Sequence, residues 1–276
     1  MIDTWLIERY AAQAWPAAEA LEEDGWLLRH TPGVPRRRSN SALPLVRGEA
    51  VLTALSRVEN FYAARGMPVA VQVAPAEEHT ALDALLAERG YRRDAATLVC
   101  VAPAATVITG SRPAVPLEVT VAEHPTRQWL DAYVALDGHE NSQEAADQVL
   151  ARISGPAAYL TAEHGNQVAG MGLIVASPGC AGVFCMATHP EHRRQGIATA
   201  ILHVGARWAA ARGADELYLQ VMDENHVARR LYERVGFRVS HTYHYRLNQV
   251  ATDRLAVLDH ESGKPSTGTV ARIGTT

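Results

Sequence analysis

Apolar positions in the second half of the chain change period from one stretch to the next, and each change marks an element. Ile197, Ile201, Val204 and Trp208 share one helical face that stops at Arg212-Gly213. Residues 217–221 alternate as a short strand, and residues 225–235 return to helical spacing before Gly236 ends them. Upstream, residues 117–123 read as a strand and 126–136 as a helix. Residues 159–163, 168–176 and 182–188 read as three strands separated by His164-Gly165-Asn166 and Ser177-Pro178-Gly179 turns. Strands followed by helix, strand and helix predict an α/β fold with a mixed sheet and its ligand site at the strand ends.

The same order occurs twice. Phe-Tyr-Ala-Ala-Arg-Gly at residues 61–66 is matched by Trp-Ala-Ala-Ala-Arg-Gly at 208–213, and Gly90-Tyr91-Arg92 by Gly236-Phe237-Arg238. These landmarks and the Gln72 and Gln220 pair stay 146 to 148 residues apart, which predicts two copies of one supersecondary unit. The expected organisation is a first copy over residues 1–101, a linker rich in Pro, Ala, Gly and Ser over 102–116, and a second copy over 117–248. Residues 249–276, polar and poor in aromatics, have the composition of a disordered tail.

Composition narrows the partners. With 26 basic against 30 acidic residues the chain has a formal charge of −4, so no general attraction to nucleic acid or an anionic membrane is expected. Cys100, Cys180 and Cys185 form no CxxC pair and are odd in number, which fits a reducing compartment better than a disulfide framework. Residues 1–10 contain Asp3, Glu8 and Arg9 in place of an apolar leader, and no uncharged apolar stretch is long enough to span a bilayer. A cytoplasmic protein is the expectation. Histidines recur at i,i+3 as His189/His192 and His241/His244, but without the companion ligands of a metal site, so no metal is expected.

Two stretches carry chemistry. Residues 188–199 read Thr-His-Pro-Glu-His-Arg-Arg-Gln-Gly-Ile-Ala-Thr and follow the apolar residues 183–187. Gly196 lets backbone approach a bulky anion, Ala198 keeps the surface small, and the N–H groups of residues 194–199 open a helix whose dipole favours phosphate. Arg193 and Arg194 add positive charge. Residues 225–237 then read Asn-His-Val-Ala-Arg-Arg-Leu-Tyr-Glu-Arg-Val-Gly-Phe. Together they resemble the two signature motifs of the GNAT superfamily of acyl-CoA-dependent N-acyltransferases, the R/Q-x-x-G-x-G/A loop and the N-x-x-A-x-x-L-Y-x-x-x-G-F element.

The resemblance implies a mixed-sheet GNAT fold in tandem with a degenerate N-terminal copy, and acetyl-CoA as co-substrate. It implies that Arg193, Arg194, Gln195, Gly196, Ile197, Ala198 and Thr199 cradle the pyrophosphate. Met186, Ala187 and Thr188 would offer backbone groups to the pantetheine arm, with one N–H serving the oxyanion of the tetrahedral intermediate. Asn225 would contact the same arm, and Tyr232 would be the general acid toward the departing sulfur. The expected acceptor is the primary amine of a small molecule, attacking directly. A protein or peptide amine is the alternative within enzymes, and a CoA- or metabolite-binding sensor is the alternative outside them. A monomer or a homodimer fits equally.

The general base is not specified. Some relatives carry a glutamate early in the strand before the loop, where this chain has Gly182. Asp137, His139 and Glu140, the two faces of the last strand (His241, Tyr243 and Tyr245, or Thr242, His244 and Arg246), and a water chain all stay open. Cys185 in an apolar strand reads as an inert thiol. The first copy lacks the machinery: Leu86 aligns with Tyr232, and no complete phosphate loop precedes its helix. Its Arg36-Arg37-Arg38 run could face the acceptor pocket and meet a carboxylate or phosphate, or lie solvated.

Overall fold

The computed structural model describes residues 2–113, 117–138, 141–165 and 167–248. The first half runs α1 (Thr4–Ala14), β1 (Glu19–Glu23), β2 (Trp26–His30), β3 (Ala42–Pro44), α2 (Glu49–Thr53), α3 (Leu55–Ala63), β4 (Val69–Val73), α4 (Thr80–Glu88) and β5 (Arg92–Pro103). After α5 (Ala104–Gly110) the second half runs β6 (Val119–Ala122), α6 (Arg127–Leu136), α7 (Ser142–Gln148), β7 (Ala157–His164), β8 (Gln167–Ser177), β9 (Cys180–Thr188), α8 (Ile197–Ala210), β10 (Glu216–Met222), α9 (His226–Arg234) and β11 (Arg238–Asn248). The elements expected from periodicity in the second half are all present, with ends moved by one or two residues. The expected linker differs over most of its length: residues 102–103 end β5 opposite β10, and residues 104–110 are helical, because Val107 packs into the core and the Ile108 carbonyl meets His203 Nδ1 at 2.9 Å. Residues 114–116 and the 249–276 tail lie outside the described residues.

All eleven strands join one sheet, in the order β1-β2-β3-β4-β11-β5-β10-β9-β8-β7-β6. The repeat seen in the sequence is α3-β4-α4-β5 in the first half and α8-β10-α9-β11 in the second. Each half sends its last strand into the other. Strand β5 lies antiparallel to β10, from Pro103 opposite Glu216 to Thr97 opposite Met222. Strand β11 lies antiparallel to β4, from Val73 opposite His244 to Val69 opposite Asn248, and β5 and β11 pair with each other at the centre. The two halves therefore share a continuous hydrogen-bonded ladder.

Helices cover both faces. On one, Ile7 and Ala11 of α1, Trp129 and Tyr133 of α6 and Ala145 of α7 pack with Met171, Leu173 and Tyr218 into a core that spans both halves. On the other, Val107, Ile197, Ile201 and Ala206 pack over β7 to β10, while Val58, Tyr62, Leu82 and Leu86 cover the first half. All three cores remove apolar side chains from water and leave the strand ends near the junction open.

Candidate functional site

The site begins where two parallel strands part. β9 pairs with β10 from Cys180 opposite Glu216 to Val183 opposite Leu219, and no further. Beyond that point β10 stays bonded to β5, and β9 stays bonded to β8 through Ala187 and Thr188. The edge of Phe184–Thr188 that faces β10 is left without a strand partner. Its backbone donors and acceptors are free to bond an extended ligand lying in the slot.

A bulge sets the direction of that edge. Phe184 opposes Leu173 and Ala187 opposes Met171, so Cys185 and Met186 together face only Gly172. Cys185 absorbs the extra residue with a φ of 50°, in the left-handed region. The Gly172 carbonyl that the bulge displaces is taken by Trp129 Nε1 at 3.1 Å. Burial, followed by the nearby Asp137 charge, pushes the Cys185 thiol up to about 12, which suits an inert side chain and not a nucleophile.

At the end of β9 the chain makes the turn carrying Arg193, Arg194 and Gln195 and enters α8. Gly196 is the N-cap with a φ of 84°, and Arg194 before it has a φ of 62°. Nothing lies within 4 Å of where a Cβ on Gly196 would sit, so its requirement for glycine is conformational. The first-turn N–H groups, from Ile197 to Thr199, have no carbonyl one turn back to bond, and they point outward with the positive end of the helix dipole. Arg193, Arg194 and Gln195 are exposed, while the Ile197 side chain is buried against Gly170, leaving only its backbone to a ligand. A pyrophosphate fits this donor set.

Helix α9 brings the second motif to the slot. Asn225 is its N-cap, with the side-chain oxygen accepting from Ala228 N at 3.1 Å, so its amide N–H groups stay available to a ligand. Tyr232 lies two turns on, edge-to-face with Phe237 at 5.8 Å. Burial, followed by the Cys100 thiol, raises its phenol to about 12, so it is protonated throughout the neutral range. Cys100 belongs to β5. The first half thus supplies part of the floor beneath Tyr232.

Met186, Ala187, Asn225 and Tyr232 line one cleft of about 410 Å³ together with Phe184, Cys185 and Gln220. The same cleft takes Trp15, Arg36 and Arg38 from the first half and Asp137 from the end of α6. Arg36 forms an ion pair with Asp137, whose carboxylate also accepts from Ser142 Oγ at 2.6 Å. Arg37 turns away to Asp94. Arg38 stands over the Phe184 ring at 5.7 Å. Thr188 and residues 193–199 follow the open end of β9 and extend the site beyond the cleft.

A family model described as "Probable histone acetyltransferase Rv0428c C-terminal" matches residues 3–246. The chain belongs to this family. It is a GNAT acetyltransferase in which the whole two-lobed unit, not the second half alone, is the matched domain. Similar proteins include the "Uncharacterized N-acetyltransferase YobR" of Bacillus subtilis (strain 168), 26% identical over 252 residues that make up 90% of this chain and 100% of that one. A "Mycothiol acetyltransferase" of Clavibacter michiganensis subsp. michiganensis (strain NCPPB 382) is 29% identical over 235 residues, 80% of this chain and 72% of that one. Among solved structures, a GCN5-related N-acetyltransferase from Kribbella flavida superposes with a TM-score of 0.64 at 17% identity, covering 90% of this chain and 96% of its own. A tandem GNAT protein from the clavulanic acid biosynthesis pathway gives 0.58 at 14%, covering 80% and 73%. These two likenesses establish the fold.

Within this acetyltransferase the position of the missing glutamate is filled. A Cβ on Gly182 would come within 2.6 Å of the Tyr218 hydroxyl and 2.5 Å of the Phe184 ring. Tyr218 sits directly across the ladder from Gly182, fully buried, and burial raises its phenol well above the ordinary tyrosine range. A glycine inside a strand was the available signal that something approaches closely there. The last strand separates its two faces as the alternation predicts. His241 is buried against Glu8 at 2.8 Å, and the Tyr243 hydroxyl reaches Gln220 at 3.5 Å. On the other face Thr242 binds Glu77, while His244 and Arg246 hold Asp83. His139 and Glu140 lie outside the described residues. Among the described residues, no group of three or more His, Cys, Asp or Glu side chains is assembled to hold a metal, and no helix is long and apolar enough to cross a membrane.

Proposed function

We propose that this chain transfers acetyl from acetyl-CoA to the primary amine of a small-molecule acceptor by direct attack. The observation that supports the reading is the composition of a single cleft: the parted edge of β9, Asn225 and Tyr232 share it with Arg36, Arg38 and Asp137. The turn at residues 193–199 would hold the pyrophosphate on backbone N–H groups, with Arg193 and Arg194 adding charge. The edge of Met186, Ala187 and Thr188 would hold the pantetheine arm, assisted by Asn225. The amine nitrogen forms its bond to the acetyl carbon while a backbone N–H of the bulged segment stabilises the oxyanion. As the C–S bond breaks, Tyr232 gives its proton to the leaving thiolate and recovers one from solvent. The ammonium loses its proton through water before attack, because Asp137, the only acidic side chain among the described residues of the cleft, is already paired with Arg36.

Trp15, Arg36 and Arg38 add first-half side chains to the lining of a cleft of about 410 Å³, a size that suits a small acceptor. The test is acetyl-CoA turnover over panels of small amines and of peptides, with thiol release matched to N-acetyl product by mass. Product from small amines supports the proposal. Product from peptides alone moves the acceptor to a protein, and CoA binding with no product from either panel leaves a sensor.

A further inference from the structure

Three arginines in sequence meet three different fates in space, and the last is the informative one. Arg36 is neutralised by Asp137 and Arg37 by Asp94. Arg38 lines the cleft, yet among the described residues no carboxylate lies within ion-pair distance of it. Its guanidinium is held in place by the Phe184 face and by the Tyr243 hydroxyl beside it. Close enough to repel it is a second guanidinium, Arg29, 2% exposed and bonded through its side chain only to neutral groups: Gln72 Oε1 at 2.7 Å, Ser41 Oγ at 2.8 Å and the Ser41 carbonyl at 3.2 Å. One buried carboxylate, Glu8, serves this region. Both its oxygens are committed, one to His241 at 2.8 Å and the other to Gln72 at 2.9 Å.

Two guanidinium groups against one carboxylate leave a positive excess at the inner wall of the cleft. A buried charge without a counter-charge is unfavourable, and a fixed, planar guanidinium presents paired donors that match an oxyanion. Resting on the reading of this cleft as the acetyl-transfer site, we propose that the acceptor is an amine that also bears an oxyanion, carboxylate or phosphate, and that Arg38 receives it. Arg38 would then hold the anionic end of the acceptor while the amine end is left to face the acetyl group. Acceptor selection would be a property of the first half, since Arg38 lies there.

The test uses matched pairs of amines with acetyl-CoA: α-amino acids against their carboxamides, and phosphoethanolamine against ethanolamine. Each pair is assayed on wild type, Arg38→Gln and Arg38→Lys. The expected result is a wild-type preference of about 100-fold in kcat/KM for the anion-bearing member, falling toward unity in Arg38→Gln mainly through KM and partly kept in Arg38→Lys. The pair that shows the preference identifies the anion. Because the readout is a ratio within one protein, a partly unfolded variant does not mimic the effect. Equal use of both members by wild type, or a preference that survives Arg38→Gln, overturns the inference while leaving acetyl transfer standing. If no amine is acetylated, calorimetry of the same pairs on the CoA-loaded protein decides. Arg38-dependent binding of the anionic member upholds this inference and sinks the transfer reading; no such binding overturns the inference as well.

Discussion

The two halves of the sheet carry the same succession of elements and differ in what a handful of positions do. Gly196 caps α8 with a φ of 84° and a ψ of 3°, whereas Gly48 caps α2 with a φ of 93° and a ψ of −161°, so a positive-φ glycine opens the helix in both halves but the turn itself differs. Around it the chemistry is reversed. Arg193 corresponds to Leu45, the first-turn residue after the glycine is Glu49 where the second half has Ile197, and Arg47 is drawn into an ion pair with Glu78. A carboxylate at the start of a helix takes the place that a phosphate would occupy. Likewise Leu86, where the second half has Tyr232, is fully buried. Packing keeps a fold recognisable with few demands on polarity, whereas binding and catalysis each depend on single polar positions.

That contrast can be broken most directly at the tyrosine. Tyr232→Phe is expected to lower kcat by roughly 10²- to 10³-fold, with the melting temperature little changed, in a steady-state thiol-release assay. A variant with unaltered kcat would remove Tyr232 from the chemistry. At the corresponding position Leu86→Ala should act on the fold instead, destabilising by about 3 kcal/mol in denaturant titration because it opens a cavity in a closed core. The paired glycines sharpen the comparison further. Gly196→Ala should cost about 1 kcal/mol in stability from its left-handed backbone, and Gly48→Ala about 2 kcal/mol because its φ of 93° with a ψ of −161° suits glycine alone, but only Gly196→Ala should weaken CoA binding, by about 10-fold in calorimetry.

Acid sensitivity supplies the smallest effect. Burial pulls His79, 4% exposed and edge-to-face with Trp5, down to about 4 from an ordinary value of 6.5. The unfolded chain binds that proton more readily, so the associated stability is complete above pH 6.5 and is lost as pH falls toward 4. Asp83 works at lower pH. Burial opposes its ionisation, but hydrogen bonds from Arg246 and His244 outweigh burial and hold it at about 2 from 3.8. Its contribution is therefore present above 3.8 and disappears as pH falls through 2. Melting curves from pH 7 to pH 4 should fall less steeply for His79→Phe than for wild type, and an equal slope would contradict this account.

Much of the second half was legible because its elements obey local rules. Alternation and helical spacing located its strands and helices, and the residues Met186, Ala187, Asn225 and Tyr232 do converge on one cleft. The repeat was legible too, through its glycines. The exchange of β5 and β11 was not, because strand order depends on which edges meet in space and leaves no periodic trace in either strand. The Arg36-Arg37-Arg38 run was legible as a candidate for the pocket, but not which of the three would be left without a carboxylate, nor that Tyr218 packs against Gly182. The partners of Arg36 and Arg37, Asp137 and Asp94, are distant in sequence, and Tyr218 reaches Gly182 only through a parallel pairing, so both outcomes depend on long-range contacts that spacing does not encode.

The exchanged strands also order events in time. When β4 has left the ribosome its neighbour β11 is still some 160 residues from synthesis, and β5 likewise waits for β10. Until residues 238–248 are made, β4 and β5 lack the strand that lies between them in the finished sheet, which leaves two edges open to pairing with other chains. The last strand of the described residues is thus the one that converts two half-sheets into a single cooperative unit.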